Sequence, residues 1–355
     1  MKVKKWLAML LAVVMVLSLA ACGTQSSPQT DDTTRVFTDS VGREVEVPAQ
    51  IDEVALSGPM AQIVLFALCP DKLVGVSNAW SAEAEQYLGE DYFNLPEIGQ
   101  LYGGKGELNP ETLLQSGAQI VIDVGEPKGS IAEDLDALQE QTGLPFVHIT
   151  ATTETTGQAY RMLGDLLNMK DEAETLAAYC DKIYDRTVSI AGSVEKADVL
   201  YVTGDAGQNV IAAGSYHAEI LDLLTNNLAV VDEPSSKGTG NEVSMEQILT
   251  WDPDVVIFAP ESIYDTVADD AAWQSVIAIK NGAYYEVPFG PYNWMGFPPS
   301  VQRYLGMMWL SKVLYPDVTA EYDLFSDVQE YYKLFYHCDL TQAQYDALVA
   351  NSLDK

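Results

Sequence analysis

Five aromatic residues, Trp80, Tyr102, Tyr292, Trp294 and Phe297, stand in connecting stretches where polar residues are the norm. Rings in such places suit a flat ligand, because they offer large contact area at low entropic cost and stack on porphyrin, corrin or catechol planes. Three basic residues, Lys105, Lys237 and Arg303, fall near the same stretches and suit an anionic group such as a catecholate or a propionate. The chain has 19 Lys and Arg against 52 Asp and Glu, so cations gathered near one expected edge stand out. Each residue also has a plainer reading: Trp294 and Phe297 cap a core between prolines, and the cations are solvated surface charges.

Catalytic patterns are missing. The run Gly103-Gly104-Lys105-Gly106 lacks the second half of a phosphate loop, and His217-Ala218-Glu219 is followed by no P-C-x-x-C. No G-x-S-x-G elbow occurs. His148 closes an expected strand, His217 opens an expected helix and His337 lies in the tail, none with a second ligand at metal spacing. They read as structural histidines, with His217 the one placed to reach a haem iron. No enzyme, resident metal or resident cofactor is expected; a ferric chelate, haem or cobamide would be cargo.

The elements that position these residues are marked by a duplication. Residues 108–127 (LNPETLLQSGAQIVIDVGEP) and 243–262 (VSMEQILTWDPDVVIFAPES) write one helix–turn–strand unit twice, at an offset of 135. Glu111 matches Glu246, Leu113-Leu114 matches Ile248-Leu249, and Ile120-Val121-Ile122 matches Val255-Val256-Ile257. This period is far longer than a solenoid repeat and fits two similar α/β lobes around a cleft. Short apolar strands alternate with helical patterns through both halves, which implies parallel sheets. An alternating stretch at 36–47 reads as a hairpin, and a helical tract from Thr153 to about Ile190 pauses at 168–170. In parallel α/β sheets ligands lie beyond the carboxyl ends of the strands. That rule selects the loops at 57–62, 77–80, 100–106 and 125–128, and those at 203–214, 235–241, 259–263 and 289–297.

The chain opens with Lys2, Lys4 and Lys5, then an uncharged run ending in Leu19-Ala20-Ala21-Cys22. This pattern reads as a signal peptide with a lipobox, whose Cys22 thiol would carry the lipid. A stretch without large apolar residues follows, suited to a flexible tether. The net charge of −33 argues against nucleic acid and against a peripheral hold on anionic lipid. Cys69, Cys180 and Cys338 give no disulfide framework or zinc motif, although spacing leaves one pair open.

Taken in order, FTDSVGREVEVP, IDEVALS, LVGVS, the two repeat units and VPFGPYNWMGFPPSVQRYLGMMWLSKVLYP resemble the solute-binding lipoproteins of ABC importers, in the iron-siderophore, haem and cobalamin group. The resemblance covers nearly the whole chain after the leader. It implies two α/β lobes with parallel-type sheets, joined by a long rigid helix, with a ligand cleft between them. Expected boundaries are 1–21 for the leader, 22–34 for the tether, 35–152 for the first lobe, 153–194 for the linking helix and 195–355 for the second lobe. The resemblance also implies that Glu111 and Glu246 meet basic residues of an ABC permease, where position alone makes them helix-start carboxylates favoured by the macrodipole. A monomer carrying an iron chelate or tetrapyrrole is the first expectation, and a molybdate- or tungstate-type oxoanion the second. From other classes, a metallocluster redox subunit and a surface protein-binding module stay open.

Overall fold

The computed structural model describes residues 33–101 and 108–353. Its first lobe opens with the hairpin Thr34–Thr38 (β1) and Glu44–Pro48 (β2), where Phe37, Val45 and Val47 turn inward and the residues between them face solvent. Gly42 takes a left-handed conformation in the turn. A three-stranded parallel sheet follows in the order Val54–Leu56 (β3), Ile120–Gly125 (β4) and Phe146–Thr150 (β5). Pro59–Leu68 (α1), Pro110–Gln115 (α2) and Ile131–Thr142 (α3) connect and cover these strands. The apolar stretch at 73–76 contributes only isolated parallel bridges, Leu73 to Val54 and Val76 to Glu97.

Thr156–Leu167 (α4) and Lys170–Ser193 (α5) make up the long helical tract. Asn168 adopts a left-handed conformation between them, so α4 folds back along α5 rather than continuing into it. Two glycines allow the close approach: a Cβ on Gly157 would sit 2.1 Å from Asp181 Oδ1, and one on Gly164 would sit 2.5 Å from Ala173 Cβ. Arg161 ties the pair, meeting Glu174 at 2.8 Å and Asp181 at 2.9 Å. The 24-residue α5 spans roughly 36 Å at 1.5 Å per residue.

The second lobe carries Asp198–Thr203 (β6), Asn209–Val210 (β7), Glu219–Leu224 (α6), Asn226–Asn227 (β8), Asn241–Glu242 (β9), Met245–Trp251 (α7), Val255–Phe258 (β10) and Tyr284–Glu286 (β11). They form a sheet ordered β11-β10-β6-β7-β9, with β8 beside β6; β6, β8, β10 and β11 are parallel. The helix expected to open at His217 opens two residues later, at Glu219. Tyr216–Ala218 forms a 3₁₀ turn, and the chain is back in a strand at Asn226.

Arg303–Leu314 (α8) packs on α5 and α6, and Leu324–Phe335 (α9) and Gln342–Leu348 (α10) return to the first lobe. Asp323 caps α9 by accepting from Ser326 N–H, and Thr341 with Gln344 forms a capping box on α10. Rings carry the contact: Tyr332 lies 5.2 Å from Tyr87, and Phe335 lies 6.1 Å from Tyr160. One apolar core therefore runs from the first hairpin through α5 into the tail. Among the described residues no helix is long and apolar enough to cross a membrane.

At Gly164 the close neighbours cannot swing away, with Met169 O and Lys170 Cα also within about 3.3 Å of a Cβ there. Gly164→Val is expected to lower stability by about 2 kcal/mol through overpacking. Urea unfolding of the purified variant reads the loss.

Candidate functional site

The floor of the site lies where β3, β4 and β5 end. After Leu56 the chain turns through Ser57-Gly58-Pro59 directly into α1. Gly58 is fully extended at the N-cap and no side chain caps the helix, so the first-turn N–H groups of Met60 and Ala61 lack an intrahelical acceptor. Gly125 ends β4 at φ 142°, a conformation that favours glycine, with the end of the Met60 side chain packed against it.

Asp123 sits between these strands. Its carboxylate accepts from the Ser57 hydroxyl through Oδ1 and lies 2.6 Å from Nδ1 of the fully buried His148 through Oδ2. Thr150 Oγ1 meets the other imidazole nitrogen at 3.2 Å. Serine, aspartate and histidine are thus adjacent, but in the wrong order for a nucleophile. Ser57 donates to a carboxylate and no imidazole receives its proton, so the hydroxyl is held rather than activated.

The opposite wall is the turn after β7, from Gly214 to His217. Gly214 N–H donates to Asp222 Oδ2 at 2.8 Å. Tyr216 crosses to the first lobe, its hydroxyl donating to Ala151 O at 2.7 Å. Beneath Tyr216 lies Arg303, 2% exposed, with its guanidinium 4.5 Å from the ring centroid. Arg303 Nη1 donates to Glu219 Oε2 at 2.6 Å and to Thr153 Oγ1 at 3.1 Å, and Nη2 donates to Tyr216 O. Ser215 Oγ is buried without a hydrogen-bond partner. Burial, then the neighbouring Arg303 charge, hold the His217 imidazole below its ordinary pKa, which favours the neutral ring.

Between these walls is a cleft of about 410 Å³. Ser57, Met60, Asp123, Glu126 and Lys128 line it from the first lobe, and Ser215, Tyr216, His217 and Ser236 from the second. Lys128 and Glu126 approach to 4.0 Å at its edge.

The residues expected from sequence fall in several places. Trp80 is buried, donating its indole N–H to Tyr92 O at 3.2 Å, and Tyr292 packs 6.0 Å from its ring. Trp294 is wholly enclosed. These three belong to the core behind the cleft. Of the four expected aromatics among the described residues, Phe297 alone stays outside, 54% exposed, with its ring 6.5 Å from that of His217. Lys237 is exposed on the loop next to Ser236, and Arg303 is spent on protein partners. Glu111 and Glu246 are exposed in the first turns of α2 and α7. Cys22, Tyr102 and Lys105 lie outside the described residues. The strand-end rule selects the loop at 125–128 that holds Lys128, whereas Ser215 and Tyr216 lie just beyond the loop at 203–214 and are not among the residues expected from sequence.

Arg303→Met leaves Glu219 and the Tyr216 carbonyl without their donor. The expected loss is about 3 kcal/mol, the low end for breaking a buried pair because Glu219 keeps some solvent contact. Chemical denaturation measures it, and loss of Tyr216 order at the cleft should accompany it.

Comparison with known proteins places this geometry. The periplasmic binding protein family matches residues 54–290. The molybdate-binding protein MolA of Haemophilus influenzae is 23% identical over 335 residues, 85% of this chain and 91% of that one. Its solved structure bound to molybdate gives a TM-score of 0.70 over 86% of this chain and 99% of that one, at 18% identity. An ABC transporter solute binding protein from Sulfurospirillum deleyianum gives 0.81 at 25% identity, covering 89% and 99%. The periplasmic catecholate-siderophore binding protein VctP of Vibrio cholerae gives 0.57 at 18% identity, covering 77% and 99%, a likeness of fold alone.

Proposed function

The chain belongs to the periplasmic binding protein family, whose members bind small molecules and work with ABC permeases, and from that premise we propose that it captures a compact oxyanion of the molybdate and tungstate type. One observation carries this reading: the cleft offers neutral donors and not a broad aromatic wall. Ser215 holds a buried hydroxyl with no partner, and the uncapped first turn of α1, whose N–H groups have no intrahelical acceptor, lines the same cleft. Fixed dipoles of this kind solvate an anion at low reorganisation cost. The relative MolA is named for molybdate binding. A second reading, a ferric catecholate or tetrapyrrole, is favoured by exposed Phe297 beside His217, a surface suited to a flat ring.

Thermal shift on the purified protein separates the two, since a ligand that binds only the folded state raises the midpoint. Molybdate and tungstate are expected to raise it, with Ser215→Ala weakening affinity about tenfold through one lost hydrogen bond to charge. Response to a ferric catecholate or haem alone, abolished by Phe297→Ala, would overturn the oxyanion reading and establish the second. Catalysis forms no part of the proposal.

The rest of the delivery route belongs to the same proposal. Cys22 carries a lipid that tethers the chain outside the membrane, residues 35–152 and 195–355 act as the lobes, and the tract 153–194 joins them. The protein works as a monomer. Glu111 and Glu246, exposed at matching helix starts, meet basic residues of the permease. Charge reversal at both, Glu111→Lys with Glu246→Lys, should abolish uptake while the purified protein's ligand affinity stays at its original value; normal uptake would sink the docking role.

A further inference from the structure

The duplication repeats burial as well as sequence. Leu113 and Ile248 are both fully buried, and Gly117 and Asp252, also 135 apart, both leave their helices in left-handed conformation at φ 80° and 41°. Leu114 and Leu249 occupy one register too. Each follows an exposed glutamate by three residues, hence on the same helical face. Each is also exposed, Leu114 by 52% and Leu249 by 39%. Among the described residues these two are the exposed leucines. A single exposed leucine needs no explanation. Two at the same position of a duplicated helix, each beside a carboxylate, point to a shared use.

We propose that Leu114 and Leu249 are the apolar half of the docking face, so that each lobe presents one carboxylate and one leucine to a permease offering a basic residue beside an apolar pocket. The inference rests on the docking reading of Glu111 and Glu246 and deepens it. Charge alone selects poorly here, because 52 acidic residues attract basic partners over the whole surface. Two fixed leucines mark a particular pair of points on that surface. Covering them removes water from the adjacent carboxylates, which strengthens the ionic contact, while the carboxylates set encounter rate and orientation. A face that is duplicated fits a partner whose own surface carries the contact twice.

The test uses the full chain and its importer held in lipid nanodiscs. Leu114→Ser with Leu249→Ser should weaken docking about tenfold by removing two apolar contacts. Uptake of molybdate or of a ferric catecholate, run in parallel, should fall with it. The melting temperature and the thermal shift given by either probe should not change, and Leu→Met at both positions should restore docking. Unchanged docking in the leucine pair, with docking lost in the Glu111→Lys, Glu246→Lys pair, overturns this inference and upholds the glutamate role. Unchanged docking in both pairs overturns both. A wild-type dimer in sedimentation that the leucine pair dissolves assigns the patch to a second copy and overturns the proposal.

Discussion

An arginine with 2% of its surface exposed has to find acceptors inside the protein, and the rest of this structure is arranged around the ones Arg303 finds. It begins α8, yet its acceptors come from three other places: Thr153 ahead of α4, Glu219 at the start of α6, and the carbonyl of Tyr216 in the cleft wall. The ring of Tyr216 lies over the same guanidinium. A planar fork of donors is suited to this, since its geometry fixes several partners at once. Gly296 matters for the same reason, because a Cβ there would stand 2.8 Å from Arg303 Nε. The gain is in specification more than in net stability, as buried ion pairs repay much of their own desolvation.

The consequences run outward from that point. With Tyr216 held from below, its hydroxyl reaches Ala151 O across the lobes and fixes how far apart the cleft walls stand. The helix pair α4 and α5 extends the same constraint, locked by glycine contacts and by Arg161. The tail helix α9 closes the frame by bringing Tyr332 onto Tyr87 of the first lobe and Phe335 onto Tyr160 of α4. One core passing through all of these resists a wide hinge movement, because opening would expose packed rings to water. Small rocking of the two walls is the motion this packing leaves.

The site inherits its chemistry from the strand ends. Asp123 engages Ser57 through one carboxylate oxygen and His148 through the other. The cleft lining then carries the buried, unpartnered Ser215 hydroxyl, the first-turn N–H groups of α1, Lys128 beside Glu126, and an imidazole that burial and the Arg303 charge favour in its neutral form. Such an inventory favours an oxygen-rich anion over a broad planar ligand, with Phe297 as the feature that points the other way.

The two α/β lobes, the hairpin, the alternation of strands with helices and the duplicated unit with its glutamates are legible in the sequence. Those features are written in periodicity and register, which record burial along each element and need no knowledge of neighbours. The sequence also marked the strand-end loops around the cleft. Which loop side chains face the ligand space depends on tertiary contacts, because a loop carries no period and its side chains turn toward distant partners. Trp80 turns inward to the carbonyl of Tyr92, and Trp294 is sealed beneath packing from several elements. Arg303 turns to acceptors from 84 to 150 residues away. Tyr216 is brought to the cleft by a hydrogen bond spanning 65 residues. Contacts at such separations exist only once the lobes have met, so no local pattern foretells them.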